Sequence, residues 1–318
     1  MTASVPLRQL LQERTYSLTL TILLVGIGAA VAFPQTFPTF GNWSQLLLNL
    51  SIDTIVAVGM MLLLVAGVFD LSVGSVVAFA GGLAAYILIQ LGWPVGVAIV
   101  LALLASGLIG ALNGYLIAYQ GVNPMIQTLA MMGIVRGGAL LLSGSGIQNL
   151  PYWFTAISQS RLLGVQMPVW YMLLTVGVFA FLMHKTIFFR RYYYIGGNER
   201  AADLSGIRVR RMKLYGFVLT SVLAGVAGLL LTSRLGTALP TAGRGLELRV
   251  ITAVILGGAS LSGGHGKIVG ALLGAVFMGL VSNIMVLARV SGYWQEIILG
   301  LILITAVWTD MALQKRLR

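Results

Sequence analysis

Cysteine is absent from the sequence, and its absence excludes thiol catalysis, disulfide bonds and cysteine-ligated metal sites. Charged residues are also scarce: only 9% of the 318 residues are Asp, Glu, Lys or Arg, whereas soluble domains average about 25%. So few charges cannot cover the surface of a water-soluble protein. Acidic residues are the rarest of them, because eight Asp and Glu stand against 20 Lys and Arg, which gives a net charge of +12.

Motifs of catalytic and nucleotide-binding sites are missing as well. The two histidines, His184 and His265, have no companions at metal-ligand spacing, and nothing matches the G-x-S-x-G nucleophile pattern. The glycine-rich run before Lys267 is not a phosphate-binding loop, because Leu261 replaces its first glycine and Ile268 its Ser or Thr. We therefore predict no catalytic site, no metal site and no cofactor in this chain. Any ATP and Mg would be bound by a separate subunit.

Hydrophobic residues make up 58% of the chain and fall into repeated runs near the length that crosses a bilayer, about 20 residues. We predict an all-α polytopic membrane protein, a single domain over residues 1–318 with about ten transmembrane helices. The first run could instead be a signal peptide, since Ala30-Val31-Ala32 resembles a cleavage site, but a retained helix places the later loops consistently. The predicted spans are residues 18–33, 43–67, 73–91, 95–119, 123–142, 167–184, 214–233, 249–261, 268–288 and 293–309.

The longest polar interval, residues 185–213, carries eight basic residues against Glu199 and Asp203. Short loops rich in Lys and Arg stay on the cytoplasmic side of a membrane. Because the interval follows the sixth predicted span, an even number of spans places it and both basic termini in the cytoplasm. Cytoplasmic anchors thus account for the net positive charge, and we predict a multi-pass protein of the bacterial inner membrane that contacts lipid and binds no nucleic acid.

Small residues recur every four positions in two of the predicted spans, which predicts close helix packing along those faces. A faint repeat also relates residues 57–85 to residues 253–276. Each segment is an apolar run, a small polar break and a glycine-rich apolar run; chance similarity is the alternative. The small residues are Ser106, Gly110 and Gly114 in one span, and Gly266, Gly270 and Gly274 in the other.

A carboxylate, Asp70, stands at the break between two apolar runs and is followed by Ser72, Gly74 and Ser75. A buried charge at such a break is costly unless it is hydrated, paired or hydrogen-bonded. Two interpretations remain open, and both can hold. The polar residues cap the ends of helices, or they form a hinge or gate beside a transport pathway.

Arg136 lies about twelve residues into its predicted span and is the best candidate to face an aqueous cavity. Asp53 or Glu296, which also fall within predicted spans, could be its partner. Further charges flank the predicted outer loop, residues 234–248, where they could receive a soluble partner or be merely solvated. These are Arg234, Arg244, Glu247 and Arg249.

Three motifs in this order resemble the permease subunits of bacterial ABC importers for monosaccharides. The resemblance covers about residues 43–310. Before the first motif that family usually has Gly-Gly-Ile, whereas this chain has Gly67-Val68-Phe69. The motifs are Asp70-Leu71-Ser72-Val73-Gly74-Ser75; Gly196-Gly197-Asn198 with Ala201-Ala202 and Ser205-Gly206-Ile207; and Gly257-Gly258-Ala259-Ser260-Leu261-Ser262-Gly263-Gly264-His265-Gly266.

The resemblance implies a permease that pairs with a second permease, two cytoplasmic ABC ATPase subunits and a periplasmic sugar-binding protein. Its solute would be a monosaccharide or a similar small neutral polyhydroxylated molecule. The alternative is a stand-alone secondary transporter or channel. The resemblance also implies that residues 185–213 hold a short coupling helix that docks on the ATPase.

We predict two sets of functional residues from these considerations. The coupling set is Gly196, Gly197, Asn198, Glu199, Ala201, Ala202, Asp203, Ser205, Gly206 and Ile207. The pathway or gate set is Asp70, Ser72, Gly74, Ser75, Arg136, Ser260 and Ser262.

Overall fold

The computed structural model describes residues 14–317, which form thirteen helices and one short antiparallel hairpin, so the predicted all-α class is confirmed. The polar segment 1–13, predicted to be cytoplasmic, lies outside the described residues. The hairpin strands are β1 (Arg161–Leu162) and β2 (Val165–Gln166). The helices are α1 (Arg14–Ala32), α2 (Phe40–Val65), α3 (Val73–Ile89), α4 (Val95–Ala118), α5 (Pro124–Ser143), α6 (Tyr152–Gln159), α7 (Met167–Lys185), α8 (Ile187–Gly197), α9 (Glu199–Leu204), α10 (Val209–Leu235), α11 (Leu246–Leu256), α12 (Ile268–Leu287) and α13 (Gly292–Leu317).

Within the described part of the chain, eight helices are long and apolar enough to cross a membrane. The apolar helix α3 has 17 residues. Helix α11, the predicted eighth span, has 11 residues and is therefore about 16 Å long, roughly half the thickness of a bilayer core. The described part of the chain thus has eight full-length candidates, one shorter apolar helix and one half-helix where the sequence predicts ten spans.

Helix α10 lies at the centre of the bundle and packs against α2, α3, α4 and α6. Small residues bring α4 against it: a methyl group at Gly110 would lie 2.5 Å from the Phe217 carbonyl oxygen, and one at Gly114 would lie 2.8 Å from Leu214 Cα. Such close approach replaces the hydrophobic driving force that helices lack within lipid. The predicted packing face of α4 is confirmed.

The second predicted face joins α12 to α11. A methyl group at Gly270 would overlap the Gly257 carbonyl oxygen, and one at Gly274 would overlap that of Ala253. The two segments of the predicted repeat have the same plan, because α2 and α3 flank one break and α11 and α12 flank the other. These two breaks meet at the site described below.

The predicted outer excursion, residues 143–166, contains the short helix α6 and the hairpin. Helix α6 is fastened to the end of α10, since the Ser158 amide donates to Ser233 Oγ at 3.0 Å and the Ser233 hydroxyl donates to the Phe154 carbonyl at 2.7 Å. The expected surface helix is therefore present, and it is anchored to the central helix.

Candidate functional site

The second and third motifs of the sequence analysis meet the residue that lies three positions before the first motif, Gly67. We call the four glycines at this contact, Gly67, Gly196, Gly263 and Gly264, the glycine junction. The Gly264 amide donates to the Val65 carbonyl at 2.9 Å. A methyl group at Gly263 would lie 2.8 Å from Gly196 Cα and 3.0 Å from Gly67 Cα. Three backbone segments that are far apart in sequence therefore contact one another directly, which only residues without a side chain allow.

Backbone conformation also requires glycine at this junction, because Gly67, Gly263 and Gly264 have φ of 76°, 87° and 77°. The chain departs from the family pattern beside Gly67, yet Gly67 itself makes the close approach to the break between α11 and α12. Val68, at the position where a second glycine is usual, is buried.

Helix α8 is held on both sides by tyrosines. The Tyr192 hydroxyl donates to the Met212 carbonyl in α10 at 2.8 Å, and the Tyr193 hydroxyl donates to the Gly266 carbonyl at 2.8 Å. Burial raises the pKa of both phenols above the usual value, so both hydroxyls remain protonated and continue to donate. Helix α8 thus connects α10 to the glycine-rich segment before α12.

The polar interval contains the six-residue helix α9. Asn198 caps it, since its side-chain oxygen accepts the Ala201 amide at 3.0 Å. Glu199 pairs with Lys213 at 2.7 Å, which links α9 to the start of α10. A short helix at the predicted coupling position is therefore present and tied to the central helix.

The faces of α9 differ from the expected arrangement. Ala202 is buried within this chain, so it seats the helix and is not available to a partner. Leu204 is 84% exposed, and sequence reasoning missed it because the apolar residue on so short a helix gave no signal of direction. The other predicted coupling residues lie as follows: Gly197, Ala201, Asp203, Ser205 and Gly206 are exposed, and Ile207 is partly buried.

Asp70 belongs to a buried polar network at the break between α2 and α3. Its Oδ1 accepts the Ser72 amide at 2.8 Å and the Ser72 hydroxyl at 2.6 Å. Asn113 in α4 donates to Ser72 Oγ at 3.1 Å and to Asp70 Oδ2 at 3.5 Å, and Gln127 in α5 donates to Asn113 Oδ1 at 3.2 Å. The network joins the break to two further helices.

This geometry corrects the expectation that the serines cap α3. The Ser72 hydroxyl donates to Asp70 and makes no capping bond to α3, and the Ser75 hydroxyl is buried without a hydrogen bond among the described residues. Sequence reasoning also missed Asn113, although an amide within an apolar span is a usable signal.

The variant Asn113→Leu is expected to destabilise the protein by about 1–3 kcal/mol, because it leaves Asp70 Oδ2 and the Gln127 amide with fewer partners in a buried region. Thermal unfolding of the purified protein in detergent measures the change. The control is Gln120→Leu, which removes an exposed amide bonded to Tyr115 and should change stability by at most about 0.5 kcal/mol. Equal melting temperatures for the two variants would contradict a structural role of the network.

Arg136 holds the segment between α10 and α11. Its Nη1 donates to the carbonyls of Pro240 and Ala242 at 2.7 and 2.8 Å, about 18 Å along α5 from its start. The predicted outer loop therefore reaches into the bundle, where Gly243 contacts Gly74 at the beginning of α3. Arg136 and Gly74 of the predicted gate set therefore both lie against this segment.

The prediction that Asp53 or Glu296 pairs with Arg136 is wrong. Asp53 pairs with Arg249 at 3.3 Å, and Glu296 is exposed near the start of α13. The spacing of residues in the sequence gives no sign that two backbone carbonyls accept hydrogen bonds from the Arg136 guanidinium. Arg234 is also occupied, since it donates to the side chains of Asn49 and Gln45.

The variant Arg136→Met is expected to release the segment from the bundle, because hydrogen bonds to a charged group contribute about 1.5–3 kcal/mol. The chain has no cysteine, so Ala242→Cys provides a unique label site. We expect maleimide labelling at position 242 to accelerate at least ~10-fold in the Arg136→Met background. Arg161→Met, an exposed arginine of the hairpin, is the matched control. Unchanged labelling in both would show that Arg136 does not hold the segment.

Ser260 and Ser262 lie in the break between α11 and α12, beside the glycine junction. The Ser260 amide donates to the His265 carbonyl at 3.2 Å, and Ser262 lies against Gly67. Asp310, which sequence reasoning missed, is buried in α13 and accepts the Leu261 amide at 3.4 Å. The predicted gate residues are thus divided between this break, the Asp70 network and the segment held by Arg136.

Known proteins resemble this chain over most of its length. The family model described as branched-chain amino acid transport system / permease component matches residues 42–307. The ribose import permease protein of Escherichia coli K12 is 39% identical over 300 residues, which cover 92% of each chain. That of Bacillus subtilis 168 is 40% identical over 85% of this chain and 84% of its own. The L-arabinose transport system permease protein of Escherichia coli K12 is 38% identical over 95% and 92%. No solved structure matches this chain.

Proposed function

Because this chain belongs to the family of branched-chain amino acid transport system permease components, we propose that it is the membrane permease of an ABC importer for a monosaccharide or a similar small neutral solute. It is a multi-pass inner-membrane protein and a transport component rather than an enzyme. Relatives that match nearly its whole length are ribose and L-arabinose permeases, which favours a sugar over the amino acid named in the family description.

Most of the charges described inside the bundle are partnered, which supports a neutral solute; the exception is Glu247 Oε2, which is buried without a hydrogen bond among the described residues and lies near the charges of Arg136 and Arg249. Asp53 and Arg249 pair with each other, and Arg136 is occupied by two backbone carbonyls. A zwitterionic amino acid would need charged partners for both of its ends, whereas a sugar needs hydrogen bonds from uncharged groups.

The observation that carries the proposed mechanism is that α9 begins three residues after Gly196 of the glycine junction and is tied to α10 by the Glu199–Lys213 pair. We propose that α9 docks on a cytoplasmic ABC ATPase, which binds ATP and Mg in place of this chain. Helix α8 would transmit a displacement of α9 to both helix breaks at once, because Gly196 touches both. A second permease, two ATPase subunits and a periplasmic sugar-binding protein complete the proposed importer.

Reconstitution tests this function. Proteoliposomes with this chain, an ABC ATPase and a sugar-binding protein should accumulate ribose or L-arabinose, but not leucine, and only with ATP inside. Omission of the ATPase or of the binding protein should abolish uptake. Uptake that persists without the ATPase and follows an ion gradient would instead support a secondary transporter.

A further inference from the structure

A groove with a volume of about 730 Å³ opens between the end of α7, α8 and the start of α12. One wall is apolar and faces outward, since Phe181 is 61% and Val269 48% exposed. The rim is basic and is formed by Lys185, Arg190 and Lys267. We call this cavity the basic groove.

Neither Asp nor Glu lines the groove among the described residues. Lys185 and Arg190 form no ion pair within residues 14–317. Arg190 is nevertheless held in place, since its Nε and Nη2 donate to the His184 carbonyl at 3.1 and 2.7 Å. Two of its five N–H donors are used in this way, which leaves donors for an anion.

The beginning of α12 adds to the attraction for an anion. Ile268, its first residue, lines the groove, and no side chain caps the helix. The uncapped amides of a first helical turn and the helix dipole both favour negative charge. An apolar wall that continues into a rim of positive charge matches a ligand with a hydrocarbon chain and an anionic head.

We propose that the basic groove binds an anionic phospholipid of the inner leaflet. Its phosphate contacts Lys185 and Arg190, and an acyl chain covers Phe181 and Val269. The site lies next to the functional one, since Tyr193 lines the groove and donates to the Gly266 carbonyl. Bound lipid therefore supports the segment that carries the glycine junction.

The test uses the full chain with Phe181→Cys, labelled with bimane, in nanodiscs that contain brominated phosphatidylglycerol or brominated phosphatidylcholine. No native cysteine competes for the label. We expect brominated phosphatidylglycerol to quench the bimane fluorescence at a mole fraction at least ~5-fold lower than brominated phosphatidylcholine. This is the preference that one basic group near an anionic surface provides. The pair Lys185→Gln and Arg190→Gln should remove this preference.

The matched control pair is Arg208→Gln and Arg211→Gln, two basic residues of a different cavity, which should leave the preference unchanged. Equal quenching by both lipids, or an effect of the control pair as large as that of the groove pair, would overturn the proposal. Absence of quenching by either lipid would show that protein covers the groove, and would overturn it as well. Competition by inorganic phosphate would show a site for free anions. None of these outcomes depends on ATP or on sugar uptake.

Discussion

The variant Gly196→Ala is expected to lose sugar uptake by at least tenfold per purified molecule. A methyl group at this position would overlap the Val65 carbonyl oxygen and the Gly264 amide nitrogen, and would lie 3.0 Å from Gly263 Cα. These two overlapped atoms form the hydrogen bond that joins the two breaks. All the contacted atoms are backbone, so rotation of a side chain cannot relieve the overlap. Overpacking and the loss of a buried hydrogen bond should together cost about 2–6 kcal/mol.

Gly197→Ala is the matched control. The two glycines are adjacent in the last turn of α8, but a methyl group at Gly197 would meet no other heavy atom within 4 Å. We expect unchanged uptake and a stability equal to or slightly above that of the parent, since alanine favours helix over glycine. Uptake assays and thermal unfolding of both variants measure the difference. Similar behaviour of the two would show that close contact at the glycine junction is not required.

The variant Leu204→Asp is expected to lower the affinity for the ABC ATPase at least ~100-fold while leaving this chain folded. Leu204 is 84% exposed on α9, so it is free to enter a groove of a partner. Burying a leucine contributes about 1.5–3 kcal/mol, and placing a carboxylate in an apolar groove adds a further penalty. Co-purification of the ATPase with the detergent-solubilised permease measures the association.

Leu163→Asp provides a control with the same exposure. Leu163 is also 84% exposed, and it lies in the turn of the hairpin on the far side of the bundle. Its φ of 52° suits aspartate better than leucine, so the variant should fold at least as well. We expect normal ATPase association for this control. Association that survives Leu204→Asp would refute docking through α9. A substitution at Ala202 would be less informative, because that side chain is buried within this chain.

Most of the helices could be predicted from the sequence because each is a long apolar run with a clear end. Residues 95–119 correspond to α4, and residues 268–288 to α12. The half-helix α11 was harder, since its length depends on where the chain turns inside the bundle. Asn113 and Asp310 were overlooked for a related reason: a single polar residue in an apolar run shows no partner until the helices are packed.

Composition and the length of the hydrophobic runs were enough to predict an all-α membrane protein. A segment that crosses a bilayer must be apolar and must satisfy its own backbone hydrogen bonds, and both properties can be read from that segment alone. The order of the three motifs along the sequence was enough to indicate the permease family. Only the tertiary structure decided that the second and third motifs meet Gly67 at one glycine junction, that Arg136 binds two backbone carbonyls, and that Leu204 rather than Ala202 faces outward. These features depend on contacts between residues distant in the chain, and the sequence around each residue contains no information on which distant backbone will lie against it.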